Sequence, residues 1–342
     1  SIYMGEKIMK RSLFTLLLAG FLGWSVVAAA ADELVIYSGR SDRFVKPVVE
    51  AFTTQTGIKV VLHSAKSTAL LNKLKLEGPR TSADIYISND AGNLQKGSEL
   101  KLFKPVSASL AERIPANYRA ADNSWIGVSA RARVLVVNKN QHDSDFVKSV
   151  FDLADPRLAG KLAITHSGNE SYIAGVTVYM LKAGEKKTSD WLVGMKSNVK
   201  NSVFNKHSKI VKAVADGKKA IGLVNHYYIY RHLEKHPDAP IEIRIPDQGK
   251  DEMGVAWNVA GVAISQYSQK QAAAEKFVDF VTSEEGQKLF ASVNREYPTR
   301  SGIAASPEVP AAGSYKVADV PMASLAKYRN KTLDLIEAVG MP

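Results

Sequence analysis

The sequence predicts an α/β protein of two lobes that the chain crosses more than once. Strand-type and helix-type segments alternate between residues 33 and 88, which is typical of a mostly parallel sheet with helices on both faces. Near Trp125 this regular alternation of strand-type and helix-type segments changes. No repeat or low-complexity linker separates the parts of the chain before and after this point. We therefore expect two α/β lobes joined by crossing strands. The predicted first lobe comprises residues 32–130 and roughly 257–305, and the second comprises roughly 131–256 and 306–342.

The individual elements follow from local signals. The apolar run Glu33–Ser38 is a strand that ends in a polar turn. Phe44–Thr56 has the spacing of an amphipathic helix, and Gly57 closes it. Ser67-Thr68 is predicted to cap a second helix, which runs to Glu77 and stops at Gly78-Pro79. Further predicted strands are Lys59–Leu62, Ala83–Ser88, Ile126–Ser129, Val134–Val137, Lys161–Thr165, Ala220–Val224 and Trp257–Ala263, and further predicted helices are Ser171–Leu181, Lys209–Ala215, Gln269–Thr282 and Ser283–Ser292.

The first 31 residues have the pattern of a secretory signal peptide. Met9-Lys10-Arg11 precedes an apolar run from Leu13 to Val27, and the alanines that follow offer a cleavage site after Ala30 or Ala31. No charged stop-transfer pattern follows the run. We therefore assign residues 1–31 to a signal peptide with a few upstream residues, and we expect the mature protein in the periplasm.

Composition narrows the function classes. The chain contains no cysteine, which excludes disulfides, thiolate metal sites, cysteine nucleophiles and a lipid anchor on a processed cysteine. The net charge is +11, and removing residues 1–31, with three basic residues and one acidic residue, leaves +9. Because the lysines are scattered among acids and no basic block carries interleaved aromatics, we expect no nucleic-acid partner. No nucleophile elbow, dinucleotide-binding motif or complete P-loop occurs, so we expect no enzyme activity.

The most informative motif is Asn225-His226-Tyr227-Tyr228, which follows an apolar strand. Neighbouring side chains of a strand point to opposite faces, so both phenols can meet one partner only where the chain leaves strand geometry. A strand-to-helix turn at the rim of a sheet has this property, and ligands bind at such rims. Phenolate oxygen is a hard anionic donor that suits Fe(III). The competing interpretation is an aromatic strand end packed beneath a loop.

Tyr172 is a candidate third phenolate. It follows the polar segment Thr165–Ser171, where a strand ends and a helix starts, and the backbone N–H groups of a helix start can bind an anion. Three phenolates would neutralise Fe(III) and leave coordination positions for that anion. The competing interpretation is a helix cap beside a packed tyrosine.

Arginines are the candidates for holding the anion. Arg131 and Arg133 alternate in an extended segment and so share a face, and guanidinium matches carbonate through two parallel hydrogen bonds. For Arg133 the favoured interpretation is a surface ion pair. Arg40, just beyond the first strand, is the candidate from the other lobe.

The histidines are weaker candidates. His232 and His236 are four residues apart on a predicted helix and so have zinc-ligand spacing. Glu234 and Lys235 between them favour a solvated helix face instead. His226 is expected to point away from the metal because its neighbours in the chain are the tyrosines.

Together these residues resemble the periplasmic ferric-ion-binding proteins of bacterial ABC importers, over essentially the whole mature chain. The resemblance implies a type II periplasmic binding protein fold whose lobes close on the ion, with Tyr227, Tyr228 and Tyr172 as ligands. It also implies a synergistic anion, for which carbonate is expected, with Arg131 as its partner. An ABC permease subunit in the inner membrane is the implied partner of a monomeric binding protein. The segments that carry the resemblance are Val35–Arg40, Ala83–Tyr86, Arg131–Val134, Asn225–Tyr228 and Glu296–Pro298.

The chain departs from that family in the first lobe. Many relatives place a histidine, sometimes followed by a tyrosine, where this chain has Ser41 and Asp42, and some have a glutamate near Lys66–Ala69. We therefore expect the site to use second-lobe tyrosines plus carbonate, with Tyr37 as a buried strand residue. Two alternatives remain open: the same fold binding an organic or phosphorus oxyanion without metal, and an iron–tyrosinate oxygenase.

Overall fold

The computed structural model describes residues 33–342, so the predicted signal peptide lies outside the described residues. Within this part of the chain, no helix is long and apolar enough to cross a bilayer. The strands are β1 (Glu33–Ser38), β2 (Lys59–Ser64), β3 (Ile85–Ser88), β4 (Phe103–Lys104), β5 (Ile126–Asn138), β6 (Leu162–Ala163), β7 (Ile221–Asn225), β8 (Ile241–Arg244), β9 (Trp257–Ser265) and β10 (Tyr297–Pro298). The helices are α1 (Asp42–Thr56), α2 (Ser67–Glu77), α3 (Ala91–Glu99), α4 (Ala108–Ala111), α5 (Glu170–Ala183), α6 (Glu185–Val199), α7 (His207–Ala215), α8 (Tyr227–Lys235), α9 (Gln271–Thr282), α10 (Glu284–Asn294), α11 (Ser324–Lys327) and α12 (Arg329–Val339).

Two sheets share strand β5. The first sheet has the order β2-β1-β3-β9-β5, with β4 on β9 and β10 on β5. The second sheet has the order β5-β7-β6, with β8 also on β5. Strands pair in parallel only within β2-β1-β3 and between β6 and β7, and the other pairs are antiparallel. The parallel pairing that the alternation over residues 33–88 predicts is therefore confirmed for β1, β2 and β3. The sheet as a whole is mixed, because long excursions of the chain return β5 and β9 in the opposite direction.

Strand β5 is one continuous element where the sequence predicts two. Ile126–Ala132 pairs with β9 of the first sheet, and Arg133–Val137 pairs with β7 of the second. All of its residues are buried. Arg131 and Arg133 do not interrupt the strand, because each guanidinium finds a polar partner in the interior. One extended segment thus connects the two sheets.

The start of α2 also differs from the prediction. Lys66 occupies the N-cap position, and no side chain caps the helix. The hydroxyl of Ser67 instead accepts a hydrogen bond from the backbone N–H of Asn89, at 3.0 Å. Gly39 packs directly on this turn, since a Cβ there would lie 1.9 Å from the Ser67 oxygen. The helix start is thereby fixed against the ends of β1 and β3.

Apolar packing holds the helices on the sheets. Phe52 of α1 and Phe277 of α9 are fully buried and meet edge to face, with ring centroids 5.1 Å apart. Gly57 ends α1 in the left-handed conformation with a φ of 74°, as the sequence predicts. This core fixes the carboxyl ends of β1, β2 and β3, from which one side of the site is built.

Candidate metal-binding cleft

A cleft of about 740 Å³ opens at the carboxyl ends of the parallel strands. One side follows β1, β2 and β3, and we call it the α2 wall: Gly39, Lys66, Ser67, Thr68, Ala69, Asn72, Asn89, Asp90 and Asn93. The opposite side follows β6 and β7, and we call it the phenol wall: His166, Gly168, Asn169, Glu170, Ser171, His207, Asn225, Tyr227 and Tyr228. Arg131 of β5 completes the lining.

The structure brings Tyr227 and Tyr228 together in this cleft. Strand β7 ends at Asn225 and α8 begins at Tyr227, so the predicted strand-to-helix turn is confirmed. The two rings lie with centroids 4.6 Å apart. The Tyr227 hydroxyl accepts a hydrogen bond from the Asn225 side-chain amide at 3.3 Å. Burial raises the pKa of Tyr228, and the neighbouring Tyr227 adds to the shift. The Tyr228 phenol is therefore neutral until a strongly charged cation displaces its proton.

Arg231 holds the tyrosine pair from outside the cleft lining. Its guanidinium carbon lies 5.1 Å from the ring centroid of Tyr227 and 5.1 Å from that of Tyr228. It also lies 4.8 Å from the ring of Phe44, which belongs to α1, and donates a hydrogen bond to Asn294. The sequence analysis missed this residue. Arg231 lies four positions after Tyr227 and three after Tyr228, so on a helix all three side chains share one face.

His207 is the second site residue that the sequence did not reveal. Its ring stacks on Tyr228, with centroids 5.0 Å apart and planes at 19°. Its Nδ1 accepts a hydrogen bond from the Asn225 backbone N–H at 3.1 Å. Burial, with the charges of Arg133 and Arg131, holds the pKa of His207 well below its ordinary value. The imidazole is therefore neutral and orients Tyr228 without repelling a cation.

Tyr172 is buried outside the cleft lining. Its backbone N–H donates to the Asn169 side chain at 3.1 Å, which is the cap that the sequence offers as the competing interpretation. The Tyr172 hydroxyl is buried and has no hydrogen-bond partner among the described residues. Burial raises the pKa of this phenol, and the charge of Arg133 opposes the shift. In this conformation the structure joins two of the three predicted phenols in the cleft.

The two arginines of β5 have different environments. Arg131 lines the cleft, is 4 % exposed, and donates through Nη2 to the backbone oxygen of Asn89. Its Nη1 has no hydrogen-bond partner among the described residues. Arg133 is equally buried and donates to the Asn225 side chain at 3.2 Å, and within residues 33–342 it has no carboxylate partner. The surface ion pair expected for Arg133 is therefore wrong.

Arg40 lies in a buried ion pair away from the cleft lining. Its Nη2 donates to both carboxylate oxygens of Glu296, at 2.9 and 3.0 Å. Burial alone would raise the pKa of Glu296, but Arg40, Arg131 and Ser129 outweigh burial and hold it below its ordinary value. The anion-binding role of Arg40 stays a prediction, and the observed contacts give this arginine a structural partner instead.

The remaining candidates have structural contacts. His226 accepts at Nδ1 from the Ala132 N–H (3.1 Å) and donates from Nε2 to the Arg295 carbonyl (2.7 Å), so both of its ring nitrogens are engaged outside the cleft. Its ring nevertheless meets that of Tyr227 edge to face, with centroids 5.6 Å apart, so the expectation that it points away from the tyrosines is wrong. Tyr37 is buried and donates its hydroxyl to Glu77 at 2.8 Å, as expected of a packed strand residue. The rings of His232 and His236 lie 4.7 Å apart. No cluster of three or more His, Asp or Glu side chains within residues 33–342 is arranged to hold a metal.

The model of one protein family matches residues 48–317, and its description is bacterial extracellular solute-binding protein. The chain belongs to this family. Among curated relatives, this solute-binding protein is 31% identical to iron uptake protein A1 of Synechocystis sp., over 83% of this chain and 81% of the relative. It is 30% identical to the Fe(3+)-binding periplasmic protein of Serratia marcescens, over 94% of each chain.

Solved structures agree with the sequence relatives. The ferric binding protein from Campylobacter jejuni superposes on this solute-binding protein with a TM-score of 0.83 at 29% identity, covering 90% of this chain and 100% of that one. FutA from Trichodesmium, in complex with iron and citrate, gives a TM-score of 0.82 at 29% identity and covers 91% and 100%. The predicted two-lobed type II fold and the resemblance to ferric-ion-binding proteins are therefore confirmed. The lobe boundaries and the ligand set stay predictions.

Proposed function

We propose that this solute-binding protein carries Fe(III) through the periplasm as the soluble subunit of an ABC importer. The observation that carries the proposal is the pair of phenols, 4.6 Å apart between ring centroids, on one wall of a cleft at the carboxyl ends of the strands. Two phenolates at one point suit a hard trivalent cation and have little use for a neutral solute. The names of the relatives, an iron uptake protein and an Fe(3+)-binding protein, support the same cargo.

Tyr172 is the proposed third phenolate. Its buried hydroxyl has no hydrogen-bond partner in the part of the chain that the structure describes. A rotation of the side chain towards the cleft would therefore break no hydrogen bond of this phenol. Iron would give the oxygen the polar partner that it lacks in its buried position. With Tyr227 and Tyr228, it would neutralise the three charges of Fe(III). Arg131 would then hold a small synergistic anion, for which carbonate is the candidate.

Closure of the lobes would tell the membrane permease that the protein carries iron. We propose that the first lobe (32–130 and roughly 257–305) and the second (roughly 131–256 and 306–342) rotate about β5, which pairs with strands of both sheets. The permease in the inner membrane would read the closed, loaded monomer. Iron on the phenol wall, with its anion at Arg131, is what would distinguish that form from the empty one.

The visible spectrum tests the cargo and the ligands together. Fe(III) bound by phenolate absorbs visible light, so the loaded protein should be coloured. The variant Tyr227→Phe/Tyr228→Phe should lose that band and most of the iron. Tyr230→Phe is the matched control, because Tyr230 is on the same helix and does not line the cleft. A double variant that keeps full colour would falsify the ligand assignment.

Two further measurements separate the alternatives. Calorimetry with oxyanions, in the absence of iron, should give no tight binding, whereas tight metal-free binding would favour an oxyanion carrier. Oxygen consumption with catechols should be absent, whereas consumption by the iron-loaded protein would favour an oxygenase.

A further inference from the structure

We propose that the end of α8 is a second metal site, in which His232 and His236 bind a borderline divalent cation such as Ni²⁺, Cu²⁺ or Zn²⁺. Neither residue lines the cleft of the phenols. The site uses other residues and another ligand chemistry than the proposed iron site, so it goes beyond the proposed function and does not depend on it.

The last turn of α8 brings the two imidazoles together. They are four residues apart, so they share one face of the helix, and their ring centroids lie 4.7 Å apart with the planes at 37°. His236 is the C-cap of α8, and its backbone N–H donates to the His232 carbonyl at 2.8 Å. Two histidines with this spacing on a helix can bind one zinc ion. The backbone therefore fixes the pair before a cation binds.

Both imidazoles are accessible and have free nitrogen atoms. His236 is exposed and His232 is half-buried, so ions in solution can reach the pair. Within residues 33–342, the side chains of these two histidines make no hydrogen bond and no ion pair. The buried histidines differ in this respect, because Nδ1 of His207 and Nδ1 of His226 each accept a backbone N–H.

The surroundings of the pair favour a cation. The C-terminal end of a helix carries the negative end of its dipole. Burial lowers the pKa of His232, His236 adds to the shift, and Asp216 of α7 opposes it. The imidazole is therefore neutral near pH 7 and offers a lone pair to a metal.

Nearby carboxylates are already paired. Asp216 accepts from Lys212 at 2.6 Å, and Glu234, which lies between the two histidines in the chain, pairs with Arg295 at 2.9 Å. The sequence favours a solvated helix face because of Glu234 and Lys235, but the structure directs Glu234 to another element. Two imidazoles are therefore the protein ligands of this site, and water would complete the coordination.

Ligand chemistry separates this site from the phenol wall. Neutral imidazole suits Ni²⁺, Cu²⁺ and Zn²⁺, whereas a phenolate oxygen suits the harder Fe(III). Helix α8 has Tyr227 and Tyr228 in its first turn and the histidine pair at its last turn. One helix would therefore bind two classes of metal ion at its two ends, and neither ion would compete with the other.

Ni²⁺ is the probe for this proposal. Protein without a polyhistidine tag would be loaded with Fe(III) and titrated with Ni²⁺ by calorimetry at pH 7.5 in a buffer that does not bind metals. We expect one equivalent of Ni²⁺ to bind. His232→Gln and His236→Gln should each weaken binding at least about tenfold, since even the loss of an outer-shell partner of a ligand costs roughly 10–100-fold in metal affinity. Both variants should keep the phenolate–iron band, which also shows that they fold.

Two further variants locate the ion. His142→Gln is the matched control, because His142 is an exposed histidine outside the pair, and it should bind Ni²⁺ as the wild type does. Tyr227→Phe/Tyr228→Phe should lose the iron band and keep the Ni²⁺ equivalent. Unchanged Ni²⁺ affinity in either single histidine variant would overturn the proposal, as would a wild type that binds no Ni²⁺. Loss of the Ni²⁺ equivalent in the tyrosine variant would place the ion in the cleft and would overturn it too.

Discussion

The two walls of the cleft differ in chemistry although both are built at the ends of parallel strands. The phenol wall presents Tyr227 and Tyr228 with the neutral imidazole of His207 stacked behind them. The α2 wall presents Lys66 and an uncapped helix start. One wall is therefore suited to a hard cation and the other to an anion. The proposed ferric cargo would therefore place its metal on the phenol wall.

Acid sensitivity is the largest expected effect, and it belongs to the phenol wall. Each phenol must release its proton to bind iron, and burial raises the pKa of Tyr228 and of Tyr172. Iron affinity should therefore fall as the pH falls, by about tenfold per pH unit for each phenol. Proton release on loading, measured in a pH-stat with one anion throughout, should be one proton smaller in Tyr172→Phe. Equal release by Tyr172→Phe and wild type would remove Tyr172 from the ligand set.

Arg131 connects the walls, and its loss should be next in size. Arg131→Met removes a charge-assisted contact with the anion, so iron affinity in bicarbonate should drop by about ten- to a hundredfold. Arg157→Met serves as the control, because Arg157 is a surface residue paired with Asp155. Competition with a chelator would measure both variants. Wild-type affinity in Arg131→Met would mean that the anion is bound elsewhere.

His207 should have a smaller effect, confined to the phenol wall. His207→Leu removes the stack on Tyr228 and leaves the Asn225 N–H without its acceptor. We expect about a tenfold loss of iron affinity and a shifted charge-transfer band, since the phenolate orientation changes. The exposed His142→Leu is the control. An unchanged band would indicate that the stack has no part in positioning Tyr228.

Arg40 should have the smallest effect on iron. Arg40→Met leaves Glu296 buried and unpaired, so the free energy of unfolding should fall by about 3–5 kcal/mol. Arg40→Met/Glu296→Gln removes both charges and should recover most of that stability, with iron affinity near that of the wild type. Urea unfolding and chelator competition would measure the two quantities. A stable double variant with weak iron binding would restore the anion-binding role predicted for Arg40.

The sequence predicts best what local geometry decides. The strand-to-helix turn at Tyr227, the glycine end of α1 and the polar helix start before Tyr172 all follow from neighbouring residues. Contacts between distant residues were not predictable in this way. Arg40 pairs with Glu296, 256 positions away, and Arg133 enters the interior because Asn225 of β7 is opposite it in register. The continuity of β5 likewise depends on partners that only the folded sheets supply.

We propose that the phenolates hold Fe(III) only together with an anion at Arg131. The most direct test is the absorbance spectrum of the iron-titrated protein with and without bicarbonate. We expect the phenolate–iron band to grow to one equivalent of iron with the anion present, and to be weak without it. A protein that binds iron by calorimetry but stays colourless in both conditions would contradict the account.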